Sequence, residues 1–280
     1  MMEGVEIYKG EIYTKNKKRS KIKSIVFDLD KTLGDFTDLY ILWKGIKEYT
    51  KNKNEIQHIF NEILDLYPEF LRCGILNILE FIKNKKERKK INKIFLYTNN
   101  RCSDKRWLEN LTKYFDYKLE YNNFFDKIIC AFKMNNKILN VNKHEKNLKF
   151  LINCTMIPKN TELCFIDNTY HKEMVKERIY YIQPYDYNHN LSKTIIINTF
   201  LRSYICNRII ENKNSFKKFL LEWFNLNKTN RNKYILSNNE CIKITKKILF
   251  HVKEFFYISN NNSKTRKYRK ITGNFTRKNM

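Results

Sequence analysis

The sequence predicts an α/β protein in which a mainly parallel sheet is layered between helices. Three observations predict it. Short apolar runs at 24–28, 93–98, 127–130 and 162–166 read as buried strands rather than helices. Segments with apolar residues at helical spacing separate the runs, and strands alternating with helices imply a parallel sheet covered on both faces. Three of the runs end in polar residues, Asp28, Thr98 and Asp167. That is where ligands bind in such sheets, outside the carboxyl ends of the strands.

Taken in order, residues 1–20 form a basic lead-in that is expected to be flexible, although 5–13 has the character of an edge strand. Ile25, Val26 and Phe27 form the first buried strand and end in Asp28. Residues 36–70 read as helical, with Leu39, Leu42, Trp43 and Ile46 on one face, then Ile56, Ile59, Phe60, Ile63 and Leu64. Another helix follows Gly74 through Ile75, Ile78, Leu79 and Ile82. A strand at 93–98, a helix at 107–115 and a strand at 127–130 come next. A helix at 146–152, stopped by Pro158, leads to the strand at 162–166 and a further one at 179–182. Beyond Pro184 the pattern is helical only, at 194–210, 215–226 and 240–258. The end, 263–280, has seven Lys/Arg and no acid, a composition that predicts disorder. The division is therefore an α/β domain over 21–205 with a helical insertion at 36–70, a helical extension at 206–258 and a basic tail at 259–280.

Composition excludes some function classes. The 280 residues are 42% apolar, enough for a sizeable core. No run approaches the ~18 apolar residues of a membrane span. The polar N-terminus does not read as a secretory signal, so an intracellular protein, cytoplasmic or nuclear, is expected. The seven cysteines are scattered, odd in number and never in a CxxC pair, which argues against a zinc ribbon or a disulfide framework and for a reducing compartment. A GxxxxGK loop is absent, so nucleoside-triphosphate kinase chemistry is not supported. The net charge of +26 suits a polyanionic partner. Compositional drift is the favoured account for the chain as a whole, because Lys, Asn, Ile, Tyr and Phe are all abundant while Gly and Pro are scarce. The cluster Lys264, Arg266, Lys267, Arg269 and Lys270, with Tyr268 inside it, exceeds that average and is a candidate nucleic-acid contact or a nuclear localisation signal. Oligomeric state cannot be read from the chain.

The chemistry concentrates in Phe27-Asp28-Leu29-Asp30-Lys31-Thr32-Leu33. Side chains at i and i+2 of extended backbone point the same way, so Asp28 and Asp30 face one site. One carboxylate of such a pair can attack phosphorus. The other can protonate a leaving oxygen and later deprotonate water. Like charges so close call for a cation, and hard oxygen ligands select Mg²⁺.

The string DLDKTL resembles the first motif, DxDx(T/V), of the haloacid dehalogenase (HAD) superfamily. That resemblance implies a Rossmann-like three-layer α/β/α core and an aspartyl-phosphate mechanism with Asp28 as nucleophile. Asp30 is then the general acid/base, its carbonyl also reaching Mg²⁺. IFLYTNN (94–100) resembles the second motif, which implies phosphate binding by Thr98, with Asn99 beside it. CFIDNT (164–169) resembles the fourth motif, which implies Asp167 and Asn168 as metal-site residues, Asp167 also orienting a lysine. The third-motif lysine is Lys146, which opens the helix KNLKFLI, with Lys143 and Lys133 as rivals. Asp167-Asn168 and the run FLRCGILNILEFI (70–82) are similar to the CTD-phosphatase (FCP/SCP, NLI-interacting-factor-like) branch. There Ser-Pro usually follows; here Thr169-Tyr170 stands instead, and Cys73 replaces a Pro. The string from Cys154 onward also resembles uncharacterised HAD proteins of large DNA viruses and some protists, which implies a host-cell location. Together these imply a Mg²⁺-dependent phosphomonoester hydrolase, a Ser/Thr protein phosphatase by the CTD-phosphatase resemblance. Nucleic-acid 3′- or 5′-end phosphatase is the alternative, and an inactive HAD scaffold that binds nucleic acid or protein is an alternative of another class. The 36–70 insertion sits where this superfamily places caps. A cap that small leaves the site open to a macromolecular phosphorylated substrate. His171 could contact substrate or be a loop histidine, and Arg101 could clamp a phosphate or sit in a surface ion pair. Trp43 and Trp107 read as core.

Overall fold

Five strands run parallel because their apolar residues alternate between two covered faces. They are β2 (Lys23–Phe27), β3 (Lys93–Arg101), β4 (Lys127–Ala131), β7 (Glu162–Ile166) and β8 (Ile179–Pro184). Ile25, Phe27, Ile94, Leu96, Cys164, Ile166, Tyr180 and Ile182 enter one core. Their neighbours Val26, Phe95, Tyr97, Leu163, Phe165, Ile179 and Tyr181 enter the other. This period of two is what a sheet buried on both faces requires. The computed structural model describes residues 4–15, 19–51, 57–101, 105–131, 133–134, 137–138, 145–227 and 234–272, without the side chains of 101, 105, 131, 133–134, 137–138 and 259–272.

The sheet order is β1-β8-β7-β2-β3-β4, with β1 (Val5–Lys9) antiparallel on β8 at the edge. The central strand is β2, paired in parallel with both β3 and β7. Because the chain leaves β2 toward β3 and returns to its other side as β7, the carboxyl end of β2 lies at the switch point where a crevice forms. A two-stranded hairpin, β5 (Lys133–Met134) with β6 (Lys137–Ile138), stands apart from this sheet.

The helical cover is unequal. One face carries α2 (Thr37–Thr50), α3 (Gln57–Asp65), α4 (Ile75–Glu87), α5 (Lys105–Leu119), α7 (Lys193–Arg202), α8 (Tyr204–Ile209), α9 (Lys213–Leu226) and α10 (Asn238–Thr272), with the short α1 (Glu11–Thr14) near β1. The other face has α6 (Leu148–Thr155) and the 3₁₀ turn Lys172–Met174. Within 36–70, α2 and α3 are core elements: Trp43 stacks edge-on to Phe60 at 5.2 Å between centroids, and Phe60 to Trp107 at 5.6 Å. The expected helix over 194–210 is two helices, because Ser203 turns extended and its hydroxyl caps Cys206 N while donating to Phe200 O. From Asn238, α10 is continuous through 264–270 to Thr272; residues 273–280 lie outside the described ones.

The expectation of no disulfide is corrected. Cys73, before α4, is bonded to Cys241 on α10, with Cα atoms 6.2 Å apart at a sequence separation of 168. Spacing along the chain does not carry such a pairing; the packing of α10 beside α4 creates it. Cys154, Cys164 and Cys206 are free. Among the described residues no helix is long and apolar enough to cross a membrane.

Candidate active site

The loop after β2 is folded by its own backbone and by one buried arginine. Asp28 N–H continues the β2–β7 ladder to Ile166 O at 2.9 Å, and Leu33 N–H reaches back to Leu29 O. Lys31 takes a left-handed conformation, φ 64°, and its N–H bonds Gly34 O. Gly34 is required there, since a Cβ would come within 2.3 Å of Phe70 O. Arg72 is fully buried and donates to Thr32 O, Lys31 O and Tyr185 O at 2.5–2.7 Å. One side chain thereby ties the β2 loop to the loop after β8. Burial pulls its guanidinium pKa down to about 10, still well above neutral pH.

Asp28 and Asp167 leave the ends of adjacent strands, and Lys146 lies between them. Its Nζ is 2.6 Å from Asp28 Oδ1 and 2.7 Å from Asp167 Oδ2, with all three side chains nearly sealed from solvent. Lys146 is therefore the lysine brought to Asp28. Lys143 and the Lys133 side chain lie outside the described residues. The residue after it, Asn147, caps α6 by accepting from Phe150 N, so this helix start places the lysine. Burial opposes the ammonium, but Asp28 and Asp167 together raise its pKa above the ordinary value.

The two carboxylates divide. Burial drives Asp28 up to about 7, with Lys146 opposing and Asp167 and Asp30 adding repulsion. Burial also pushes on Asp167, but Lys146 and His171 outweigh it and hold Asp167 below the usual carboxylate range. Both Asp167 oxygens are engaged, Oδ1 by Thr169 N–H at 2.8 Å and Oδ2 by Lys146. Asp30 is raised to about 6 by burial, with Asn100 opposing and Asp35 adding to the rise.

Thr98, wholly buried, ends the regular part of β3, and the β3–β4 register shifts between Thr98 and Arg101. Such an irregularity re-aims side chains. Asn99 follows Thr98 on this stretch, and Asn100 Nδ2 donates to Asp30 Oδ2 at 2.6 Å. The side chain of Arg101 lies outside the described residues. Asn168 Oδ1 accepts from Thr32 Oγ1 at 2.8 Å, and its Nδ2 donates to Asp186 Oδ1 at 2.8 Å. His171 is buried, its Nδ1 accepting from Lys146 N–H at 3.1 Å.

Asp28, Asp30, Thr98, Lys146, Asp167 and Asn168 thus gather at the carboxyl ends of β2, β3 and β7. Sequence reasoning missed Asn100, Thr32, Asp186 and Arg72. Asn100, Thr32 and Arg72 stand inside quoted strings, so the signal for those three was present in the sequence.

No family model and no curated protein sequence matches the chain. Among solved structures, a Thermotoga maritima protein assigned as a beta-phosphoglucomutase is 14% identical over 72% of this chain and 99% of that one, with a TM-score of 0.29. So loose a likeness assigns neither fold nor chemistry; both rest on the residues above.

Among the described residues no three acidic, histidine or cysteine side chains converge as a metal cage. The donor set nevertheless suits Mg²⁺, which takes one or two carboxylates and keeps several waters. Asp28 and the Asn168 amide supply oxygens, and the Asp30 carbonyl is close in sequence. Burial and the neighbouring Asp167 and Asp30 charges work against an ionised Asp28, a cost that a cation beside it would offset.

Proposed function

We propose that this protein hydrolyses phosphomonoesters through an aspartyl-phosphate intermediate, in the manner of the HAD superfamily. The observation that carries the reading is the buried Lys146 ammonium bridging Asp28 and Asp167 next to Asp30. An Asp28 oxygen attacks phosphorus, and the bond from phosphorus to the ester oxygen breaks. Asp30 gives its proton to that departing oxygen. Asp30 then takes a proton from water, the water oxygen attacks phosphorus, and the bond to Asp28 breaks to release phosphate and restore the carboxylate. Lys146 and the Thr98 hydroxyl stabilise charge on the transferring group. Asn100 fixes the direction of the Asp30 carboxyl. Mg²⁺ held by Asp28, Asn168 and the Asp30 carbonyl would offset the charge of nucleophile and phosphate together. Hydrolysis of an aryl phosphate, assayed with and without Mg²⁺, tests this; turnover that survives Asp28→Asn refutes it.

Phosphoserine or phosphothreonine in a protein is the substrate that the CTD-phosphatase resemblance supports. A nucleic-acid end phosphate is favoured by one observation. The exposed residues along α10 from Ile242 to Tyr257 are Ile242, Lys243, Lys246, Phe250, Lys253 and Tyr257, with no acid among them. Phe250 and Tyr257 are 63% and 64% exposed. Lysines interleaved with open rings suit a backbone and bases. Comparing phosphoserine peptides with 3′- and 5′-phosphorylated oligonucleotides separates the two readings. Loss of only the oligonucleotide activity in a Phe250→Ala/Lys253→Glu variant supports the second.

A further inference from the structure

Resting on that phosphohydrolase reading, we infer that His171 is a positioning residue, which holds the Lys146 backbone and receives Asp167 when the lysine ammonium turns to the phosphoryl group. The ring touches both ends of the lysine's setting. Its Nδ1 accepts Lys146 N–H at 3.1 Å, and its Nε2 stands 3.4 Å from Asp167 Oδ2, the oxygen that Lys146 Nζ now holds at 2.7 Å. The side chain is 2% exposed, so water is not its partner.

The tautomer follows from the first contact. A main-chain N–H can only donate, so Nδ1 must offer its lone pair and the ring proton sits on Nε2. Nε2 lies 3.4 Å from Asp167 Oδ2, but its N–H is not aligned on that oxygen and makes no hydrogen bond. A buried donor left unpaired costs roughly 1–3 kcal/mol, so a partner is expected in some state of the molecule. Phosphoryl transfer supplies that state. As the ammonium moves onto the oxygens of the transferring group, Asp167 Oδ2 loses its nearest donor while still buried. A small rotation of the ring, with a closure of a few tenths of an ångström, then aligns Nε2–H on Oδ2. Asp167 then stays ionised and aimed, and the lysine backbone stays anchored while its side chain swings.

Three variants separate the two contacts. His171→Asn keeps an acceptor for Lys146 N–H but not the reach to Asp167. His171→Gln keeps a donor that reaches Asp167. His171→Leu keeps neither. The expected result is that His171→Asn melts with the wild type and keeps its KM, but loses roughly 10–100-fold in kcat. His171→Gln recovers most of that loss and His171→Leu recovers none. Wild-type kcat in His171→Leu, or equal losses in the Asn and Gln variants that track their melting temperatures, would overturn the role. Nitrogen-15 spectra of histidine-labelled protein, with the His171→Leu spectrum identifying the signal, provide a readout independent of turnover. A proton on Nε2 and a bare Nδ1 are expected, and the opposite tautomer overturns the proposal. If Asp28→Asn were to retain full turnover, the phosphohydrolase reading would fall instead, and the spectrum would still decide the tautomer on which His171's part depends.

Discussion

Replacing Asp28 by Asn should abolish turnover and at the same time stabilise the fold. In the wild type, burial lifts the Asp28 carboxyl from 3.8 to about 7, even with Lys146 beside it. Between those two pH values the folded protein holds a proton that the unfolded chain has lost, so stability falls as pH rises through the window. Above about 7 the full penalty applies. At about 1.4 kcal/mol per pH unit it has a ceiling of roughly 4 kcal/mol. Relaxation and water entry reduce that, and about 2 kcal/mol is a working value. Asn is nearly isosteric, keeps an acceptor for Lys146 Nζ and has no charge to bury. Urea unfolding without Mg²⁺ should therefore show Asp28→Asn about 2 kcal/mol more stable at pH 8, with a melting temperature higher by roughly 4 °C. The gap should narrow at pH 5, where the wild-type carboxyl is protonated. Saturating Mg²⁺ should stabilise the wild type more than the variant, because one ligand charge is gone. An Asn variant that is less stable at pH 8, or equally stable at both pH values, would refute the account of Asp28 as a strained buried anion.

Other perturbations follow from the same geometry. Asn100→Ala removes the hydrogen bond that opposes the upward push on Asp30; the alkaline limb of the kcat profile, expected near pH 6 for Asp30 as acid at a fixed metal concentration, should move up while kcat falls. A limb that does not move would separate Asn100 from the acid. Thr98→Ala should lower kcat about 100-fold and Thr98→Ser should restore most of it, since the hydroxyl is the working group; equal losses in the two would point to packing instead. Arg72→Met leaves three loop carbonyls without their donor and should destabilise by about 3 kcal/mol in urea, a loss that wild-type stability would contradict.

The parallel sheet was legible because each strand is a short apolar run and the catalytic candidates stand where the runs stop. Asp28, Thr98 and Asp167 needed no more than that. Lys146 was harder, since lysines crowd the whole chain and only contact with Asp28 singles one out. The Asn100 bond to Asp30 arises at the irregular end of β3, where the alternation on which the reading of neighbours depends is broken. Ser203 interrupts a helical apolar pattern that is otherwise continuous, and its preference for capping over continuation is visible only in three dimensions. The Cys73–Cys241 bond and the carbonyls that Arg72 ties together join segments far apart in sequence, and local pattern holds no information about those pairings.

The unequal cover of the sheet bears on how the lysine behaves in time. Lys146 precedes the cap of α6, an eight-residue helix that, among the described residues, shares the cover of its face of the sheet with one short turn. The opposite face is locked under a thick layer of helices. Local opening therefore has its lowest threshold at α6, where few buried contacts must part. Each such opening withdraws the ammonium from between its two acids without unfolding the rest. Amide hydrogen exchange should thus be faster at Leu151 than at Leu79 of α4, and the lifetime of the assembled site should follow the α6 rate rather than global stability.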